Sequence, residues 1–497
     1  VRNAELLINF DRDFSQITGT ASISGVVSEF GLQIDNSDSH IELILQAPPS
    51  PYLAKLLAQT SGLNISGSLG GKLRYSGDPL MNESTMAIAL DLGGSYFSIP
   101  EIDWTKLPVE DGWATLTVAL RDGKISKLTD LDFFAGSLSA RGQVIFGASG
   151  QVEAAMFERA AWPGNDLRDL IIEGGRKGSW KIGATARRIN LEPLRRNKGV
   201  VQGDAIEFDF TGDQIQLDEN ISMSGQVVGK RDSSGGGAAE FLGKLLVRGK
   251  PLINEAKLDV RFGPSGEFAT GVGLIGGSEA KFDFEAKQNL ASKLTIVSKN
   301  GGRVLAGLDV TEAVRGGTMR MVNWFEDRDF RSYDTHIEIA NFSVVEAPRA
   351  LRLFSVLSLA GLYALVEGDG TAFRKGEAVF QTRGSVVKFR KLKANGDAVG
   401  VSVVGLYDRS TKQLEISGNL VPVNQVSKIL GEVPVLGEVI TGLDKSGVFV
   451  TPFKLTGSID DPKPTVYPAS SLAPGFLRDI FSPNWLEKES KRFFGAD

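Results

Sequence analysis

The sequence predicts an all-β protein: an elongated, bent antiparallel β-sheet that forms an apolar groove, with a few short capping helices near the C-terminus. Three observations predict it. Short runs alternate strictly between apolar and polar residues, the period of a strand that is dry on one face and wet on the other. Glycine recurs along the whole length, 58 residues in 497, without clustering. Turn signals such as SGDP, LRDG, GASG and KNGG return roughly every eight to twelve residues, the spacing of strand pairs joined by tight turns.

Taken in order, PPSPYLAKLLAQTSG reads as a short helix whose prolines sit at or before its start, with Leu53, Leu56 and Leu57 on one face. MAIALDL then gives Ile88, Leu90 and Leu92 on one face of a strand. ATLTVALRDG separates Leu116, Val118 and Leu120 from Thr115, Thr117 and Arg121. AIEFDF puts Ile206, Phe208 and Phe210 opposite Glu207 and Asp209. AKLDVRF separates Leu258, Val260 and Phe262 from Lys257, Asp259 and Arg261. EAKFDFEAK places Phe282 and Phe284 opposite Lys281, Asp283 and Glu285. The eleven apolar residues from Leu116 to Phe284 in the last four strands are the candidates for a groove lining. Further helical pattern falls at Pro348–Glu367, from Asn424 to about Leu430, and in the tail from Pro483 to about Phe494.

About twenty-five amphipathic strands at ~4.8 Å spacing would make a sheet roughly 100 Å or more across, and its dry face needs a cover. Two sheets can pack as a sandwich, the sheet can close as a barrel, or it can curl into a trough occupied by an apolar guest. The aromatic set is 28 Phe against 7 Tyr and 6 Trp, rings without a polar handle. That bias suits an acyl-chain lining and a sandwich core equally. Pattern alone leaves sandwich-like domains level with one long groove.

Composition narrows the chemistry. A net charge of −5 with a pI near 5.5 argues against a broad nucleic-acid surface. RRINLEPLRRNK at 187–198 is locally basic and reads as a solvated loop or a contact for anionic headgroups. Cysteine is absent, which suits an oxidising compartment and removes thiol nucleophiles and thiolate metal sites. The two histidines, His40 and His336, carry no metal-ligand pattern. No run reaches the length of a membrane span; LFSVLSLAGLYALV, Leu353 to Val366, is too short. GVGLIG at 271–276 matches the dinucleotide fingerprint in letters, but strand alternation follows where a helix must begin. EDRDF at 326–330 interleaves its carboxylates with arginine and reads as a turn. The chain shows no catalytic constellation, and the expectation is a protein with no cofactor or metal.

The C-terminal third carries ordered motifs. IEIANFSVVEAPRALRLFSVLSLAGL is a strand followed by a helix after proline. Gly396, Gly400, Val401, Ser402 and Gly405 follow, then Val421 and Pro422. A P-x-x-G-x-x-x-T-G element supplies Pro434, Gly437, Thr441 and Gly442. F-x-x-x-G-x-x-x-D-P supplies Phe453, Gly457, Asp461 and Pro462, and SSLAPGFLR closes with Pro474 and Gly475. In this order the segments resemble the closing module of the AsmA-like proteins of bacterial envelopes, the group that includes YhdP and TamB. One departure is Tyr467, where the family tends to have Asn before the proline.

The resemblance implies a repetitive β-groove over 1–340, an AsmA-like module over 341–467 with a plug helix at about 348–367 (Leu353, Phe354, Leu357, Leu362), and a helical tail over 468–497. It further implies bridge-like phospholipid transport between inner and outer membranes. The partners would be acyl chains, membrane surfaces and envelope proteins, with no nucleic acid. The setting would be the periplasm, with anchoring to the inner membrane by a preceding segment, since the chain opens on Val1 within a strand pattern. The alternative is a structural or assembly factor that holds envelope proteins by strand addition. The motif glycines and prolines would shape turns and chain direction.

Overall fold

Alternation becomes strand almost everywhere. The computed structural model describes residues 2–23, 25–35, 37, 40–61, 63–77, 83–175, 179–192, 205–287, 291–326, 330–345, 371–397, 399–422 and 451–466. The ladders assign 27 strands to one mixed sheet and three to a small second sheet. The chain divides into two compact units, 1–250 with 261–264, and 251–260 with 265–497. The candidates on the plug helix (Leu353, Phe354, Leu357, Leu362), in the closing motifs (Pro434, Gly437, Thr441, Gly442, Pro474, Gly475) and in the tail lie outside the described residues.

In the first unit the large sheet contains β1 (Arg2–Phe10), β2 (Phe14–Ile23), β3 (Val26–Asp35) and β4 (Ile41–Ser50), each antiparallel to the last. Helix α1 (Pro51–Ser61) and β5 (Asn64–Gly67) leave the sheet; β6 (Leu69–Gly77) and β7 (Glu83–Asp91) rejoin it. Strands β8 (Ser95–Ile99) and β9 (Trp104–Lys106) pair with β5 as the small sheet. The meander resumes through β10 (Gly112–Arg121), β11 (Lys124–Ala135), β12 (Leu138–Phe146), β13 (Val152–Trp162), β14 (Asn165–Gly175) and β15 (Ser179–Asn190). It ends in β16 (Ala205–Asp218), β17 (Ile221–Arg231) and β18 (Gly237–Val247). One pair departs from the antiparallel expectation: β15 and β16 run parallel, Ser179 opposite Ala205.

Strand β19 (Lys250–Gly263) is shared between the units. The second unit then has β20 (Gly266–Ile275), β21 (Ser278–Ala286), β22 (Ser292–Ser298), helix α2 (Gly301–Gly307), β23 (Val314–Phe325) and β24 (Ser332–Val344). It continues with β25 (Thr371–Arg383), β26 (Val386–Gly396), β27 (Val399–Asp408), β28 (Gln413–Pro422), β29 (Thr451–Ser458) and β30 (Lys463–Val466). Every pairing from β20 to β30 is antiparallel and sequential. GVGLIG therefore ends a strand and opens a turn into another strand, as its context requires.

Bending has visible causes. Register shifts interrupt the β10–β11, β11–β12, β12–β13 and β14–β15 ladders, and bulges of this kind kink a strand and raise its twist. Asp130 and Asp169, inside two of these shifts, have φ of 53° and 48°. Across β16, β17 and β18 a row of glycines stands side by side, Gly212 opposite Gly225 opposite Gly243. Gly225 and Gly243 have φ of 141° and 148°, and a Cβ on either would lie 2.1 Å from a facing carbonyl oxygen. Only glycine permits so close a bend.

Helix α1 begins where the sequence places it, with Pro51 first and the Leu53 N–H donating to the Ser50 hydroxyl at 3.4 Å. Its packed face is Leu53, Ala54 and Leu57, while Leu56 is exposed. The i, i+3, i+4 spacing from Leu53 includes Leu56, but the sheet takes the small Ala54 at closest approach instead.

Candidate functional site

Cross-strand register converts the separate alternations into continuous rows. In the first unit one row runs Ile8, Ile17, Leu32, Leu43, Tyr75, Met86, Val118, Leu128, Val144, Ala155, Ile172, Ile182 and Phe208, each residue directly opposite the next. Twelve steps at ~4.8 Å carry this row roughly 60 Å along the sheet. Its one polar atom beyond the backbone is the Tyr75 hydroxyl. In the second unit Phe282, Ile296, Met321, Ile337, Ala378, Leu392, Val403, Gly418 and Phe453 form a comparable row.

The rows are not covered equally. On β7 the dry face, Ser84, Met86, Ile88 and Leu90, is half-buried throughout while the wet face is exposed. On β16 Ile206, Phe208 and Phe210 are 3%, 7% and 2% exposed. There the two rings stack at 5.9 Å. A Cβ on Gly229, directly opposite Phe208, would meet that ring at 2.6 Å. The phenylalanine covers the bare glycine across the ladder, an arrangement that fills the interior with the chain's own atoms.

The eleven lining candidates all lie on the dry side of their strands. Val118, Ile206, Phe208, Phe210, Leu258 and Phe282 are buried; Leu116, Leu120, Val260, Phe262 and Phe284 are half-buried. The polar residues between them, Glu207, Asp209, Lys257, Asp259, Arg261, Lys281 and Asp283, are exposed. The half-buried residues of the first row that sequence alone did not single out include Ile17, Leu32, Leu43 and Met86 on β2 to β7 and Leu128, Val144, Ile172 and Ile182 further along. For β7 the signal was present as alternation in MAIALDL.

The second unit is more tightly filled and contains polar core groups. Asn323 and Thr335 are 4% and 1% exposed, with the Thr335 hydroxyl donating to Asn323 Oδ1 at 2.7 Å. A Cβ on Gly418 would lie 2.3 Å from the Phe453 ring. Of the family-motif positions described, Gly457 takes φ 101° with open space around it, and Pro462 is buried just before β30.

Each unit has a capped strand edge. In the first, α1 and the small sheet cover the ends of β4, β6, β7, β10, β11 and β12. The packed residues are Ala54, Ile65, Leu69, Leu92, Phe97, Trp104, Ala114, Ala135 and Leu138. Phe97 packs edge-on to Trp104 at 5.5 Å and to Phe133 at 5.8 Å. Within this cap Lys106 is fully buried. Its ammonium donates to the carbonyls of Gly93, Ser95 and Leu107 at 3.3, 3.0 and 3.1 Å. Burial holds its pKa below the usual lysine value, against the opposing pull of Glu110, Asp111 and Asp91. In the second unit α2 plays the capping part. Asn300 Oδ1 accepts from the Arg303 N–H at 3.3 Å, and Val304 and Leu305 pack inward with Ile275 and Met319 buried nearby.

The wet face carries ordinary charge ladders. His336 Nε2 lies 3.3 Å and Lys391 Nζ 2.6 Å from the two oxygens of Glu377. Burial alone would raise the Glu377 pKa; Lys391, with His336, brings it below the ordinary glutamate value. Among the described residues no group of carboxylates and histidines is placed to hold a metal, and no helix is long and apolar enough to cross a membrane. No family model, curated protein or solved structure matches this chain.

Proposed function

We propose that the chain is a conduit for phospholipid, its acyl chains held on the dry face and its headgroups kept in water. The observation that carries the reading is the half-buried apolar row from β2 to β7. Apolar area left open to water forgoes about 25 cal/mol per Å². A row of aliphatic residues that the chain leaves partly uncovered is suited to a hydrocarbon guest. The row crosses many strands without a charged side chain, so a guest can shift from one strand to the next without meeting a polar barrier. The motif order of the C-terminal third agrees with this reading through its likeness to AsmA-like envelope proteins, which would place the protein between the inner and outer membranes. Passive movement along the row involves no covalent step.

The test is native mass spectrometry of the purified chain after expression in a diderm bacterium. The expected result is phospholipid carried through purification, with stoichiometry lowered by Ile88→Asp and not by Ala87→Asp on the exposed face. Lipid-free protein, or equal loss from both variants, overturns the reading.

A second reading, strand addition by another envelope protein, has one observation in its favour. On β1, Leu6, Leu7, Ile8 and Phe10 are 51%, 63%, 48% and 78% exposed, and the described residues give that strand a single partner, β2. An uncovered edge with apolar side chains is a template for pairing.

A further inference from the structure

In the second unit the charge ladders of the wet face fall out of balance at one place. Strands β25 and β26 together carry seven cations and one carboxylate, Glu377, a net of +6 inside a chain of net −5. Register turns most of these cations to the face opposite Ala378 and Leu392 of the dry row. Lys375 stands opposite Ala340, Lys393 opposite Glu377, Lys391 opposite Val379 and Lys388 opposite Gln381. Arg390 sits in the bulge of the same ladder and donates to Gln381 Oε1 at 3.1 Å. Carboxylates neutralise part of the set: Glu326 and Asp334 hold Arg383, and Glu377 holds Lys391. Among the described residues no salt bridge reaches Lys375, Lys388 or Lys393. Lys375 and Arg390 are exposed, Lys388 and Lys393 half-buried. Lys391 and Lys393, two residues apart on one strand face, have backbones only about 7 Å apart. Burial and the neighbouring Lys391 hold the Lys393 pKa below the usual lysine value, against the pull of Glu377. Crowded like charges destabilise a sheet, and an anion from outside relieves them. The same face carries a large ring in water. Trp324 is 39% exposed, and its row runs Trp324, Asp334, Gln381, Lys388, three ladder steps or about 14 Å.

From this placement we infer that the wet face of β23 to β26 docks on an anionic lipid membrane, its lysines over the phosphates and Trp324 at headgroup level. The inference goes beyond the conduit reading, since it uses the opposite face of the sheet and needs no acyl guest. Three chemical features favour a lipid surface. Clustered cations are drawn to the negative potential of an anionic leaflet. Three of the four cations named beyond Arg383 and Lys391 are lysines, compact charges that suit a diffuse layer of phosphates better than one phosphate gripped by a planar fork. Tryptophan, with an apolar body and one N–H, is a residue of the boundary between hydrocarbon and water. A strand of bases would instead require several rings on which successive bases stack, and Trp324 is the ring this patch offers.

The experiment is co-sedimentation of the full chain with vesicles of phosphatidylcholine alone or of equimolar phosphatidylcholine and phosphatidylglycerol, at ~0.1 M salt. The chain is expected on the phosphatidylglycerol vesicles and not on phosphatidylcholine, and ~1 M salt should release it. Lys388→Gln with Lys393→Gln should weaken the partition about tenfold, ~1.4 kcal/mol for two lysines near the surface. Lys72→Gln with Lys124→Gln, exposed positions of the first unit, should leave it unchanged. Phosphatidylglycerol with brominated acyl chains should quench the fluorescence of the wild-type chain more than that of Trp324→Phe. Equal weakening by the two double variants, equal quenching in Trp324→Phe, or no preference for phosphatidylglycerol overturns the inference. Two further outcomes also overturn it. Single-stranded DNA that binds more tightly than the vesicles, and is lost with Lys388 and Lys393, makes the patch a nucleic-acid contact. Free glycerophosphoglycerol that abolishes vesicle binding at equal phosphate makes it a site for one soluble phosphodiester. Phospholipid carried through purification, the measure of the conduit, should be the same in Lys388→Gln with Lys393→Gln as in the wild type, so either reading can fail alone.

Discussion

Strands β7 and β16 have nearly the same written pattern and opposite interiors. β7 alternates throughout and β16 over Ala205–Gly212, and both put three apolar residues in a row on the dry face. On β7 those residues remain half-buried, while on β16 they are closed over. The difference is in what stands across the ladder. Beside β16 are bare positions, Gly229 opposite Phe208 and Gly212 opposite Gly225, so large rings fold down and the sheet bends sharply over them. Beside Met86 and Ile88 on β7 are Tyr75, Val118 and Leu73, residues of ordinary size, while Gly71 stands opposite Leu90. Alternation decides which face is dry. At Phe208 a bare cross-strand neighbour, Gly229, lets the chain fill that face with its own ring.

The sharpest way to break this comparison is truncation on both strands. Phe208→Ala should lower the unfolding free energy by about 3–5 kcal/mol, since the lost ring leaves a cavity over Gly229. Ile88→Ala should cost only about 1 kcal/mol, because its side chain is already partly in water. Denaturant titration reads both, and equal losses would mean the two interiors are equally filled.

The cap comes next in size. Lys106→Met should cost about 2–4 kcal/mol, mostly from three carbonyls left without their donor. Hydrogen exchange should quicken at Gly93–Ser95 and in β9 and stay unchanged in β16. Uniform quickening would show that the cap is not a separate element.

Much of this was legible in the sequence. The strand face was readable at AIEFDF, EAKFDFEAK, AKLDVRF and ATLTVALRDG because period two has one solution when only one face is dry. Helix α1 was readable from Pro51 and the leucines after it. Helix α2 was not, since GGRVLAG holds three glycines in seven residues, a composition that opposes helix. Its packing against Gly276 and Met319 supplies what propensity lacks. Lys106, in WTKLP, reads as a surface cation, because nothing local announces that three carbonyls will surround it. The half-buried stretch β2–β7 was hidden for a different reason: coverage depends on neighbours tens of residues away.

A smaller effect separates the filled second unit by pH. The folded Glu377 pKa lies below its ordinary value, so the native state binds fewer protons than the unfolded chain as pH falls through the glutamate range. Its contribution is complete above that range and is lost as pH drops through the depressed folded value. The pair is partly exposed, which limits the effect to about 0.5 kcal/mol. Lys391→Met leaves burial to dominate and lifts the folded Glu377 pKa, so this part of the acid loss should disappear and the variant should lose stability mainly at neutral pH; an unchanged acid profile would remove the ion pair as its cause.

The central claim is that the dry face of β7 is left for a hydrocarbon guest and that of β16 is not. A photo-crosslinking residue placed singly at Ile88, Ala87 and Phe208, in cells with native lipid, tests this directly. The account predicts lipid adducts from Ile88, few from the exposed Ala87 and few from the closed Phe208. Equal yields from Ile88 and Ala87, or none from Ile88, would contradict it.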